Sequence, residues 1–134
     1  MEKKGLFEAF LECLPDGVVI VDSDGRITSV NAQTEKMFGY SREELLGKPV
    51  EVLVPERFRS GHIEYRANYV SQRSPRPMGI GLEITGQRKD GSDFPVEISL
   101  SPLATEEGDF VVSVIGDITR RKRMEEALRE SEQR

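Results

Sequence analysis

His62 is the only histidine in the chain, and the only side chain whose ordinary chemistry is that of a neutral nitrogen ligand or a proton carrier near neutral pH. It stands in a run where Phe58, His62, Tyr65 and Tyr69 are spaced four, three and four apart. That spacing puts them on one face of a helix running from Pro55 to about Val70, since proline suits a first helical position. The other reactive groups carry less. Cys13 is a lone thiol, which excludes an internal disulfide and a cysteine-based zinc cluster. It precedes the first predicted strand and reads as a small buried apolar residue. Tyr40, Tyr65 and Tyr69 can donate hydrogen bonds to a ligand or pack in a core with the hydroxyl satisfied. Arg57, Arg59, Arg66 and Arg73 suit a solvated helix face, and Asp22, Asp24, Asp90 and Asp93 suit turns. No glycine-rich phosphate loop with its lysine, no histidine beside a nucleophile and no paired metal-ligand spacing is present, so the chain reads as a non-enzyme.

Two alternating runs and their flanks place the elements that would hold these groups. Ile80, Leu82 and Ile84 alternate with Gly81, Glu83 and Thr85, and Phe94, Val96, Ile98 and Leu100 alternate with Pro95, Glu97 and Ser99. Between them Lys89-Asp90-Gly91 is a turn signal, so Gly79–Leu103 reads as an antiparallel hairpin with an aliphatic inner face, entered from a loop at Ser74–Pro77. Upstream, Leu6, Phe7, Phe10, Leu11 and Leu14 recur at helical spacing, and Pro15-Asp16-Gly17 stops that helix. Val18–Val21 and Arg26–Val30 form a short hairpin about Asp22–Gly25. Asn31 is placed to cap a helix ending at Gly39, and Ser41 and Glu44 have capping-box spacing. Glu106-Glu107-Gly108 turns the chain into a last long strand, Phe110–Ile118. From Thr119 the pattern is charged and helical, with Met124 and Leu128 as an apolar pair four apart. Helix, two short strands, helical segments, three long strands and a helix make an α+β domain with one five-stranded antiparallel sheet.

The totals agree with one domain. The chain has 134 residues, 37% hydrophobic and 32% charged, with a net charge of −5. That length can bury a core. The negative balance argues against direct nucleic-acid binding. No apolar run reaches the length of a membrane span and no secretory signal is visible, which suits a cytoplasmic domain without membrane contact of its own.

Taken together, Leu14–Asp22, Gly25–Ala32, Met37–Gly47, Arg88–Glu97 and Gly116–Lys122 resemble, in order, the segments of PAS domains. The resemblance covers about residues 5–118 and divides the chain into an N-terminal helix (1–14), a PAS core (15–118) and a linker or signalling helix (119–134). It implies a sheet of spatial order 2-1-5-4-3, with ligand or partner binding in the core and an output passed to an attached effector such as a histidine kinase or a transcription regulator. In that family the Asp-Ile-Thr tripeptide, here Asp117–Thr119, joins the last strand to the output helix.

The stretch from Val54 through Tyr69 and on to Leu82 is similar to the haem-binding oxygen sensors among PAS domains, in which a histidine at this helix position ligates the iron. On that resemblance His62 is the axial ligand of haem b, Tyr65, Tyr69, Ile80, Leu82, Ile98 and Leu100 line the pocket, and Arg76 pairs with a propionate. The position of Leu82 carries an oxygen-binding arginine in that subgroup, and leucine has no donor. A sensor of this kind has a sizeable cavity and homodimerises through its terminal helices. The alternative is a ligand-free dimerisation or docking module with a filled pocket.

Overall fold

The structure is a computed structural model that describes residues 3–62, 76–78 and 84–132. Helix α1 (Lys3–Cys13) is followed by strands β1 (Gly17–Asp22) and β2 (Ile27–Val30), then by helices α2 (Ala32–Phe38) and α3 (Arg42–Leu45). Two 3₁₀ turns, Val50–Leu53 and Glu56–Phe58, lead into helical residues 59–62. Strands β3 (Arg76–Met78), β4 (Ile84–Gln87), β5 (Asp93–Thr105) and β6 (Gly108–Asp117) come next, and a C-terminal helix (Thr119–Glu132) ends the description.

All strand pairs are antiparallel, in the order β2-β1-β6-β5-β3, with β4 also on β5. Strands β3 and β4 share one edge of β5: Arg76–Met78 pairs with Leu100–Ile98, and Ile84–Gln87 with Val96–Asp93. They fill one position of the sheet in turn, so the architecture is the five-position antiparallel sheet of order 2-1-5-4-3 that the family resemblance implies.

Period-two alternation sorts the side chains into two layers. On the inner face Val19, Val21, Phe94, Val96 and Ile115 pack with Ile27, Met37, Phe38, Leu45 and Leu53. On the outer face Val18 and Ile20 pack with Leu11 of α1, and Leu14, Phe110 and Val112 join them.

Local chemistry fixes the connections. Asn31 Oδ1 accepts from Thr34 N and caps α2, and Gly39 ends it in the left-handed region at φ 82°. Ser41 and Glu44 close the capping box of α3. Asp22 Oδ1 accepts from Asp24 N and Arg26 N to close the β1–β2 turn. After α3 the chain runs beside β2, where Ile27 N donates to Lys48 O and Gly47 N to Ile27 O. That docking sets the place of the first 3₁₀ turn.

Four expectations need correction. Pro55 is not the first residue of a long helix. Its ψ of 141° is extended, and it caps a 3₁₀ turn, so α-helical conformation begins only at Arg59. The expected continuation through Val70 falls outside the described residues. The loop expected at Ser74–Pro77 gives way at Arg76 to β3, because β5 extends far enough to offer it a pairing edge. Cys13 is exposed rather than buried: it ends α1 on the side away from the sheet, and its thiol donates to Phe10 O at 3.1 Å. Asp93 opens β5 instead of belonging to the turn, and pairs with Arg57 at 2.8 Å.

Candidate functional site

The inner face of the sheet and the helical segments border an open-mouthed cavity of about 620 Å³. Such a volume is typical of small-molecule sites. Its floor is Val96, Ile98 and Leu100 of β5 with Ser113 and Ile115 of β6. Cross-strand pairing puts Ile98 opposite Ile115 and Leu100 opposite Ser113, so these side chains share the face. Val50, Leu53, Val54, Phe58 and residues 60–62 line it from the helical side. Gly86 and Phe38 form the end wall.

His62 lies on that lining. Arg59 carries the turn that presents it, donating from Nε to Val54 O at 2.9 Å and from Nη2 to Gln87 Oε1 at 3.0 Å. The helical segment is thereby tied both to the preceding 3₁₀ turn and to β4. The ring's Nδ1 lies 2.6 Å from Glu51 Oε2. Glu51 is buried, only 4% exposed. A buried carboxylate this close orients an imidazole through the hydrogen bond it makes to one ring nitrogen. Among the described residues no group is bonded to Nε2.

Of the side chains the sequence assigned to a site, His62, Ile98 and Leu100 meet in this cavity. Arg76 is placed in β3 opposite Leu100, its side chain undescribed. Tyr65, Tyr69, Ile80 and Leu82 lie outside the described residues. Glu51 was not singled out by sequence reasoning. The available signal was an acidic residue inside the apolar run Val50–Val54, eleven positions before the only histidine.

At the end of β6, where Asp117 pairs with Val96, Asp117 and Thr119 also meet. Asp117 Oδ1 accepts from Thr119 N at 2.9 Å and from the Thr119 hydroxyl. Asp117 Oδ2 lies 3.6 Å from Arg88 Nη2. The Arg88 guanidinium also sits 4.0 Å over the Phe94 ring, whose centroid is 5.2 Å from that of Phe38 in an edge-to-face contact. A packed series thus runs from the cavity wall at Phe38 through Phe94 and Arg88 to the start of the C-terminal helix. Arg121 on that helix reaches back to Glu97 of β5 at 3.0 Å.

The chain is similar to several known proteins. Sensor protein FixL of Bradyrhizobium diazoefficiens is 30% identical over 122 residues, which is 91% of this chain and 24% of that protein. Oxygen sensor protein DosP of Escherichia coli is 28% identical over 84% of this chain and 14% of its own length. Cell-division control histidine kinase PdhS of Brucella ovis is 30% identical over 90% of this chain and 12% of its own. The chain therefore spans no more than about a quarter of these relatives. Among solved structures, the PAS domain of an HTR-like protein from Haloarcula marismortui superposes with a TM-score of 0.71 at 27% identity, covering 86% of this chain and 91% of that one. A family profile described as PAS domain matches residues 15–120. With the sheet order, the capped helices and the strand-to-helix junction all in place, the chain belongs to the PAS domain family.

Proposed function

We propose that this is the sensory module of a multidomain signal-transduction protein, a histidine kinase or similar regulator, and that it holds haem b in the cavity beside His62. The observation that carries the reading is the Glu51–His62 pair on the wall of an apolar cavity. A neutral imidazole is a suitable axial ligand, and Val50, Leu53, Ile98, Leu100 and Ile115 supply the apolar surround a porphyrin takes. The donor set and the volume therefore fit the group. Bound haem would supply an iron centre responsive to a diatomic gas or to redox state. Tyr65, Tyr69, Ile80 and Leu82 would complete the lining and Arg76 would pair with a propionate. Leucine at position 82 donates no hydrogen bond, which favours carbon monoxide or nitric oxide over oxygen.

The output route is Asp117–Thr119 and the C-terminal helix. Any ligand that displaces Phe38 or Phe94 moves the packing under Arg88, and Arg88 faces the Asp117 carboxylate that holds the helix start. The relatives are much longer than this module, consistent with an attached effector.

The deciding experiment is the absorption spectrum of the purified protein after haem addition, beside His62→Ala. A sharp Soret band that requires His62 is expected. No band, or one indifferent to the substitution, overturns the haem reading.

A second reading is a dimerisation module. Leu6, Phe7 and Phe10 of α1 are 61%, 47% and 55% exposed, and Met124 and Leu128 of the C-terminal helix are each 62% exposed. Apolar side chains left in solvent on both terminal helices suit burial against a second copy.

A further inference from the structure

We infer that Glu51 is a positioning residue for His62: it fixes the ring as the Nδ1–H tautomer and makes Nε2 the nitrogen available to a ligand. The haem half of this inference rests on the function proposed above. The tautomer half stands on the apo protein alone.

The geometry argues it in three steps. Glu51 Oε2 and His62 Nδ1 are 2.6 Å apart, a separation that requires a shared proton. With Glu51 ionised, its carboxylate only accepts, so the proton belongs to Nδ1 and the lone pair of the neutral ring to Nε2. Neither partner is free to swing away. Glu51 sits in the 3₁₀ turn Val50–Leu53, where Val54 N donates to Glu51 O at 3.0 Å and the neighbours Val50 and Leu53 face the cavity. His62 is held through Arg59, bonded to Val54 O from the other side. The carboxylate and the ring are thus fixed by two turns that bond to the same residue.

This is how a nitrogen ligand is prepared in general. Metal-bound histidines give their second ring N–H to a carboxylate or carbonyl, which fixes the tautomer and strengthens donation to the metal. A carboxylate is the strongest such partner, because the hydrogen bond is charge-assisted. With such a partner at Nδ1, Nε2 would give more electron density to a bound iron and lower its reduction potential.

Because the chain has a single histidine, the imidazole ¹⁵N signals of untagged protein belong to one ring. In ligand-free protein, in buffer alkaline enough to keep the ring neutral, the expected pattern is protonated Nδ1 and unprotonated Nε2. The reverse tautomer overturns the inference whether or not haem binds. With haem added, Glu51→Gln keeps an acceptor at Nδ1 but removes the charge. It should weaken haem retention about 10–100-fold, lower the iron–histidine stretching frequency and raise the reduction potential. A Gln variant that binds haem with retention, stretch and potential unchanged also overturns it. Failure of wild-type protein to bind haem through His62 counts against the proposed cofactor, and the ¹⁵N pattern then still decides the tautomer.

Discussion

Asn31 joins the N-terminal helix to the core: its Nδ2 donates to Leu11 O at 2.8 Å across twenty residues. The same amide donates to Asp16 O at 3.1 Å, while Oδ1 accepts from Val18 N at 2.9 Å and from Thr34 N at 3.1 Å. Asn31 is fully buried, and its Oδ1 is the partner that satisfies the Val18 amide. Replacing it with Ala removes a helix cap and orphans the Val18 amide. The expected cost is roughly 2–4 kcal/mol. Hydrogen exchange should show the amides of Lys3–Cys13 losing protection ahead of the β5–β6 pairs. Unchanged protection in α1 would mean that Leu11 packing alone holds the helix.

Asp117 governs the strand-to-helix junction through two oxygens with separate partners, Thr119 N on one side and Arg88 on the other. Asp117→Ala should fray the first turn of the C-terminal helix, costing about 1 kcal/mol locally, while the sheet keeps its thermal midpoint. In a full-length parent the same change should uncouple output from stimulus. Arg88→Ala should produce part of the uncoupling, since it removes the contact between Phe94 and the junction but leaves the Thr119 bond. A parent with either substitution that switches like wild type would exclude this route.

Gly86 marks the point where β4 closes on the cavity. A Cβ there would lie 3.1 Å from Phe38 Cε1 and 3.2 Å from Phe94 Cε1. Both rings are buried, at 2% and 3% exposure, and are packed edge to face, so neither can give way freely. Gly86→Ala should destabilise the fold by about 1–3 kcal/mol, read by chemical denaturation. A neutral result would show that the β4 edge shifts outward to make room.

The fold was legible because its signals are local. Alternation in Phe94–Leu100, the caps at Asn31 and Ser41 and the glycine at 39 each state one element, and their order states the sheet. The site was legible only in part. His62, Ile98 and Leu100 could be assigned to a face from spacing, but the Glu51 contact depends on how the chain after α3 docks along β2, which no local pattern encodes. Pro55 misled because proline is equally at home before a 3₁₀ turn and in a first α-helical turn. Cys13 misled because its residue type is usually buried, whereas its place at the end of α1 turns it outward.

Acid should loosen the molecule at two named joints. Partial burial pushes the Glu12 carboxyl up, but the Arg42 guanidinium at 2.7 Å and the Ala32 N–H at 3.0 Å outweigh it and hold the group below its ordinary value of 4.5. Arg42 also reaches Glu35 at 3.1 Å, so this cluster ties α1 to α2 and α3. At the second joint the Lys89 ammonium and the Ser41 N–H bring Glu44 down to about 2. A carboxyl whose folded pKa is depressed stabilises the fold above its unfolded value and loses that contribution as pH falls through the folded one. The thermal midpoint should therefore hold steady from neutral pH to about 5 and then fall between the ordinary value of 4.5 and about 2. Both joints are solvent-accessible, so added salt should shrink the Glu12 and Glu44 contributions. Glu12→Gln should already lack its share of the midpoint at neutral pH and show a shallower decline in acid, with loss of α1 protection as the accompanying sign. A variant whose acid profile overlays wild type would place the pH sensitivity elsewhere in the fold.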